Sequence, residues 1–417
     1  MRRERITQNR VMKLFAMTLG YRDLGNLEDE ENLPIREQDL RAWLRKQGKY
    51  SDQVIHKAIF EFKKATNVSP TDDLYPINKE GYSKLRYGVK VAEEIGNPVQ
   101  TVWLIDWKNP SANDFAIAEE VSVKGTNTKR PDLVIYVNGI ALGVLELKSA
   151  SVGVSEGIRQ NLDNQDHRFI RPFFGTVQVI LAGNDSQGLY YGTTKTPEKY
   201  YLKWKEDGYS YDPDKNLLDQ HLIQFCEKER FLELIHDFVV FDAGTKKLCR
   251  PNQFFGVRAA RKYIDRREGG IIWHTQGSGK SLVMVWLAKW IREHQTDARL
   301  LIITDRTELD QQIETVFKGV DEQIYRTKSG KDLLTVLNEA EPWLICSLIH
   351  KFGTGDKEEG VEDLIASLTS RNDFTPKGNL FIFIDECHRT QSGDLHDAMK
   401  ELLPEAMFIG FTGTLLC

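Results

Sequence analysis

The sequence predicts an α/β protein of two domains, on three observations. From about residue 250, apolar strand-length runs alternate with helix-patterned stretches, the mark of βαβ crossovers and a parallel sheet covered on both faces. A glycine-rich loop, His274-Thr-Gln-Gly-Ser-Gly-Lys-Ser281, stands between one such strand and its helix. Further upstream, two apolar strands flank Asn138-Gly139, a strong hairpin signal.

Each element follows from local pattern. Residues 1–100 read as mostly helical, with apolar periodicity over Val11–Leu19 and Val54–Phe62 and an acidic polar loop over Gly25–Pro34. Short β-branched or aromatic runs predict strands at Thr101–Asp106, Asp132–Val137, Ile140–Leu147 and Val177–Ala182. Loops and edge strands are expected over Asp185–Asp219, then helix over Leu222–Val239. In the second half the strands are Ile271–Trp273, Leu300–Thr304, Trp343–Ser347, Leu380–Asp385 and Phe408–Phe411. The expected domains are 1–240 and 241–417, with the seam inside Asp237–Arg250, where Asp242-Ala-Gly-Thr-Lys-Lys breaks the periodicity.

Composition narrows the class without naming it. The net charge of −5 over 417 residues argues against a protein that coats nucleic acid with its whole surface. It leaves room for a local basic channel. No apolar run approaches the ~20 residues of a membrane span. Five cysteines lie far apart with no metal-ligand spacing, which fits reduced thiols and a cytoplasmic location.

The loop at 274–281 suits a phosphate. Gly277 and Gly279 let the backbone wrap an anion, Ser278 lies between them, and the following helix turns its N-terminal N–H groups to the same place. Lys280 can reach terminal phosphates and Ser281 can offer its hydroxyl to Mg2+. The strict pattern is broken at its first glycine, where His274 stands. The apolar run Phe381-Ile-Phe-Ile ends in Asp385-Glu386-Cys-His388, placing acids at the edge where parallel sheets hold ligands. Asp385 is expected to hold the metal through water, Glu386 to polarise the attacking water, and His388 to report nucleotide state.

These two motifs resemble motifs I and II of the superfamily-two helicases, and further elements follow in order. Asn252-Gln253-Phe-Phe, with Arg250 beside it, resembles an adenine-reading glutamine motif. Thr304-Asp-Arg-Thr-Glu-Leu-Asp-Gln311 and Ser347-Leu-Ile-His-Lys-Phe352 resemble motifs Ia and Ib. Phe411-Thr-Gly-Thr414 resembles motif III, which implies a coupling role for Thr412 and Thr414. The resemblance implies that 241–417 is a RecA-like ATPase domain, the first of a helicase pair. The second domain, with its arginine finger, is expected to be missing, because the sequence stops three residues after Thr414. The chain is therefore expected to be a fragment, weak or inactive as a motor.

The upstream hairpin runs from Arg130-Pro-Asp132 to Glu146-Leu-Lys148. Antiparallel pairing brings Asp132, Glu146 and Lys148 to one end. A strict two-residue loop would put the two carboxylates on opposite faces; a three-residue loop with a glycine bulge restores them to one, and a bulge is expected. Two carboxylates and the Leu147 carbonyl can hold Mg2+, with Lys148 orienting water and steadying charge on a phosphate. Glu146 lies inside an apolar run, where an unpaired carboxylate is costly.

This pattern resembles the PD-(D/E)xK nucleases. Nuclease before helicase, in this order, resembles the restriction subunit of type I restriction-modification enzymes. The resemblance implies ATP and Mg2+, double-stranded DNA, and methyltransferase and specificity subunits as partners. It also carries over Glu4 on the opening helix and Gln160 of a Gln-x-x-x-Tyr element whose tyrosine is replaced by Asn164. Two alternatives stand beside it. One is another nuclease–helicase fusion, of type III-like restriction or DNA repair. The other is a non-catalytic module docking on a methyltransferase core.

Overall fold

The computed structural model describes residues 2–69, 71–94, 96–206, 208–275, 277–304, 307–348, 376–385, 399–400 and 403–413. The chain divides into two compact units, Met1–Cys249 and Arg250–Cys417.

The first unit opens with α1 (Arg2–Lys13), on which Thr7, Gln8 and Val11 are buried. β1 (Arg22–Asn26) has no strand pattern of its own and was not expected; parallel pairing with a later strand makes it one. Three helices follow, α2 (Glu37–Lys46), α3 (Asp52–Ala65) and α4 (Leu74–Tyr87). The Ser51 hydroxyl caps α3 by accepting the Val54 N–H, and the Asp73 carboxylate caps α4 through Tyr75. A small antiparallel pair, β2 (Val89–Val91) and β3 (Gln100–Val102), is shorter than the strand expected at Thr101–Asp106.

The central strands are β4 (Phe115–Glu119), β5 (Leu133–Val137), β6 (Ile140–Lys148), β7 (Val179–Asn184), β8 (Gly188–Gly192) and β9 (Leu202–Lys203). With β1 they form one seven-stranded sheet in the order β1-β4-β5-β6-β7-β8-β9, parallel at β1/β4 and β6/β7 and antiparallel elsewhere. α5 (Val154–Asn164) makes the crossover from β6 to β7. Its face of the sheet is packed by Val134, Tyr136, Val144, Ile180 and Ile158. The helix expected over Leu222–Val239 is two, α6 (Leu217–Cys226) and α7 (Lys228–Phe238), broken where the Glu227 carboxylate caps α7. The hairpin of β10 (Val239–Asp242) and β11 (Thr245–Leu248) closes the unit. The stretch 241–249, assigned to the second domain from the sequence, thus clusters with the first. Buried Lys246 holds it there, its ammonium donating to Asn78 Oδ1 and Gln178 Oε1, both at 2.7 Å.

The β5–β6 hairpin settles which residues share a face. Asn138 and Gly139 both have positive φ, 52° and 78°, as a two-residue type I′ turn requires. Val137 pairs with Ile140 and Tyr136 with Ala141, then the register shifts so that Ile135 meets Gly143 and Leu133 meets Leu145. The next pair outward is Asp132 and Glu146, on one face. The expected bulge is present, but it lies inside β6 at Leu142 and the turn keeps two residues. The turn is built this way because Asn138 is fully buried. Its side chain accepts from Asp114 N–H at 2.7 Å and donates to Leu104 O and Asn113 Oδ1.

The second unit is a six-stranded, all-parallel sheet. Its helices and strands alternate as α8 (Pro251–Asp265), β12 (Gly270–Trp273), α9 (Lys280–His294), β13 (Ala298–Thr304), α10 (Thr307–Gly319), β14 (Tyr325–Arg326), α11 (Gly330–Asn338), β15 (Leu344–Leu348), β16 (Asn379–Asp385) and β17 (Met407–Thr412). The strand order is β12-β17-β16-β13-β15-β14. β13 and β16 are apolar along their length and lie centrally, as strands buried on both faces do. Arg299, 2% exposed, donates to the carbonyls of Val336, Leu337, Pro342 and Lys377, closing the end of α11. Among the described residues, no helix is long and apolar enough to cross a membrane.

A Cβ at Gly139 would stand 2.7 Å from the Arg36 carbonyl, in a backbone region that already favours glycine. Gly139→Ala is expected to lower stability by about 2 kcal/mol, read by urea unfolding. A change near zero would show that the turn relaxes freely.

Candidate functional site

The first constellation forms where β4, β5 and β6 reach the same edge of the sheet. Asp132 precedes β5, and its Oδ2 accepts the Leu147 N–H at 2.7 Å. Glu146 is completely buried and accepts from Asn164 Nδ2 at 3.2 Å through Oε1, while its Oε2 has no hydrogen-bond partner among the described residues. Burial pushes the Glu146 carboxyl well above the usual range, and the Asp132 charge pushes it further. Asp132 is raised too, mainly by burial, against the pull of the Leu147 N–H and the Lys148 charge. Facing each other, the two can hydrogen-bond only while one carries a proton.

Lys148 ends β6. Its ammonium donates to Gln160 Oε1 at 2.8 Å and to Glu4 Oε1 at 3.2 Å. Burial alone would lower its pKa, but Asp132, Glu146 and Glu4 outweigh that and hold it above its usual value. The structure therefore gathers Asp132, Glu146, Lys148, Glu4 and Gln160 in one place. Asn164, standing where a tyrosine was expected, touches Glu146 directly.

A divalent cation suits this donor set. Glu146 Oε2 and the facing Asp132 carboxyl give two oxygens that repel each other unless a proton or a cation lies between them. Among the described residues no third carboxylate joins them at bridging distance, so the backbone carbonyl of Leu147 and water are the remaining candidates for ligands. Glu4 is engaged with Lys148 instead of completing the pair. Sequence reasoning missed Gln8, which donates to the Asp132 carbonyl at 3.3 Å and to Glu120 Oε1 at 3.1 Å. Its spacing from Glu4, Val11 and Phe15 is helical, but a polar side chain on a helix carries no local sign that it is buried.

The second constellation lies in the other unit, at the carboxyl edge of β12, β17 and β16. Gly277 and Gly279 have φ of 79° and 83°, and Gly279 caps α9 in the left-handed conformation. A Cβ on Gly279 would meet Gln253 Nε2 at 2.5 Å. That amide donates to Ser278 O at 2.8 Å and Gly279 O at 3.2 Å, and Gln253 Oε1 accepts the Arg250 N–H at 2.8 Å. Arg250 also reaches the Gly277 carbonyl at 3.5 Å. Gln253 and Arg250 thus hold the loop itself. Among the described residues the buried Ser278 hydroxyl has no partner, and Lys280 and Ser281 open α9, so the loop fits a phosphate group. His274 packs against Gly256, and its N–H donates to the Thr412 carbonyl at 2.9 Å, tying the loop entry to β17. Asp385, 3% exposed, ends β16. Glu386, His388 and Thr414 lie outside the described residues, as do Asp305 and Arg306 of the expected motif Ia and Ile349-His-Lys-Phe352 of motif Ib.

Comparison with known proteins agrees with this division. Residues 1–199 match the family described as type I restriction enzyme R protein N terminus, and residues 252–417 match the SWI2/SNF2 ATPase family. Two Methanocaldococcus jannaschii proteins, provisionally named as the MjaIXP and MjaVIIIP type I restriction enzyme endonuclease subunits, are 28% and 29% identical. The matches cover 86% and 95% of this chain but 36% and 40% of those proteins. The HindI endonuclease subunit of Haemophilus influenzae is 27% identical over 88% of this chain and 37% of its own length. The chain thus spans well under half the length of these relatives. Among solved structures, a Sulfolobus solfataricus SWI2/SNF2 ATPase core in complex with dsDNA aligns at TM-score 0.31 and 17% identity, covering 44% of this chain and 34% of that one. That likeness is too partial to bear on the fold.

The carboxyl pair makes the metal-free protein sensitive to pH. A carboxyl with a higher pKa folded than unfolded binds more protons in the folded state, so stability falls as pH rises through the interval between the two values. Chemical unfolding without divalent metal is expected to show stability declining from the ordinary glutamate range upward, and Glu146→Gln to flatten the decline. A wild-type profile already flat across that interval would contradict the buried pair.

Proposed function

We propose that this chain is an N-terminal portion of a type I restriction enzyme R protein and carries the Mg2+-dependent DNA endonuclease and the first half of the ATP-driven DNA motor. On this reading the whole subunit translocates double-stranded DNA and cuts foreign unmodified DNA, in the cytoplasm, in company with methyltransferase and specificity subunits. The observation that carries the nuclease half is the convergence of Asp132, Glu146 and Lys148 at one sheet edge. Glu4 and Gln160 support it by orienting the lysine.

Asp132 and Glu146 would hold the metal. When bound, it supplies an electrophile for a phosphate oxygen and lowers the pKa of its water. The chain's own groups set the rest. Lys148, kept protonated by three carboxylates, is a fixed donor and positive charge for the phosphate rather than a base. Glu4 and Gln160 hold its ammonium on one bearing, so little reorganisation is needed as charge develops. In the motor half, the Gly277–Ser281 backbone would cradle the β- and γ-phosphates, Ser281 and Asp385 would hold Mg2+, and Glu386 would polarise water. Thr412, joined by its carbonyl to the loop entry, is placed to move with it; His388 and Thr414 would extend that coupling. The non-catalytic docking reading gives no reason to bury Glu146 opposite Asp132.

Single substitutions separate the two activities. In the assembled complex, Glu146→Ala or Lys148→Ala is expected to lower DNA cleavage roughly 10³-fold while DNA-stimulated ATPase persists. Lys280→Ala is expected to abolish the ATPase. Cleavage at the wild-type rate with either nuclease variant would overturn the nuclease assignment, and ATPase retained by Lys280→Ala would overturn the motor.

A further inference from the structure

α1 does more than deliver Glu4. Glu4 and Gln8 are one turn apart, so they share a helix face. Glu4 accepts from Lys148 at the end of β6. Gln8 reaches the start of β5, where its amide donates to the Asp132 carbonyl and to the Glu120 carboxylate. That carbonyl also accepts the Glu120 N–H at 2.9 Å. Glu120 follows β4 and stands opposite Asp132, as Glu146 does on the other side, because Glu119 pairs with Leu133 and Leu133 with Leu145. A buried amide is kept only where its donors are satisfied. Gln8 is 4% exposed; one of these acceptors is the main chain of Asp132 itself, and the other, Glu120, follows the neighbouring strand β4.

Neighbouring residues brace the helix on either side. Arg5 pairs with Glu119 and Glu120. Thr7 and Arg10 bond Asp185, the residue after β7, and Arg10 also pairs with Asp219 on α6. Within this row only Gln8 touches the main chain of a proposed metal-holding residue.

We propose that Gln8 is a positioning residue of the nuclease site: by holding the Asp132 carbonyl it fixes that carboxylate opposite Glu146 and, through the same helix, Glu4 against Lys148. The proposal rests on the nuclease reading above. Outer partners of metal-holding groups typically change metal affinity 10–100-fold.

Calorimetric titration of the nucleotide-free chain with Mn2+ tests it without relying on cleavage. Gln8→Leu removes both donors; Gln8→Met keeps the length of the side chain and cannot donate. Each is expected to weaken the Glu146-dependent Mn2+ site about tenfold or more, with ATP binding at the Lys280 loop unchanged. Wild-type Mn2+ affinity in both variants would overturn the positioning role while leaving the nuclease reading intact. No Glu146→Ala-sensitive Mn2+ site in the wild-type chain would instead overturn the nuclease reading. If both variants fail to fold, by circular dichroism, Gln8 is a packing residue and the proposal fails.

Discussion

The first unit turns on two carboxyl groups that face each other across β5 and β6, one of them sealed from water. Such a pair is unfavourable in a protein interior unless a proton or a cation sits between its members. The surrounding chain tolerates it through a small number of polar contacts. The Asn164 amide donates to one Glu146 oxygen, the Leu147 N–H donates to Asp132, and Lys148 supplies positive charge close by. The other Glu146 oxygen stays unsatisfied. The hairpin register sets this juxtaposition: a two-residue turn pinned by the Asn138 side chain, and a bulge at Leu142 that moves the register by one. Were the same sequence paired without the bulge, Asp132 would meet Leu145 and Glu146 would point to the other face of the sheet.

The second unit holds open the loop that is proposed to take an anion. Its loop is held from behind by Gln253, whose amide occupies the space a Cβ on Gly279 would need. The loop entry is attached to β17 through His274 and Thr412. Both attachments use the His274 and loop main chains, so the identity of residue 274 matters less than its backbone. This gives a physical reason why a histidine can stand where the strict pattern has glycine.

Much of this was legible in the sequence, for a reason specific to each residue. Asp132, Glu146, Lys148 and the 277–281 loop are readable because their chemistry permits few residue types, and because flanking apolar runs fix the strand ends on which they sit. The parallel sheet of the second unit follows from alternation alone. β1 was not readable: Arg22–Asn26 carries charges and a glycine, and only its pairing with β4 makes it a strand. The bulge was expected from parity, yet its place was hidden, since Ala141-Leu142-Gly143 has no signal beyond the glycine. The seam hairpin looked like the start of the next domain, because nothing local reveals that Lys246 is buried among Asn78 and Gln178. Gln8 was overlooked because a polar residue on a helix reads as solvent-facing until its neighbours are known.

The central claim is that Asp132 and Glu146 together form a divalent-metal site. Crystals of the chain grown with Mn2+, measured for anomalous scattering at the manganese edge, test it most directly. The account predicts a peak within coordination distance, about 2.0–2.3 Å, of both carboxylates. The peak should be absent from Glu146→Ala crystals. No peak there in the wild-type chain at saturating Mn2+, with both side chains ordered, would contradict it.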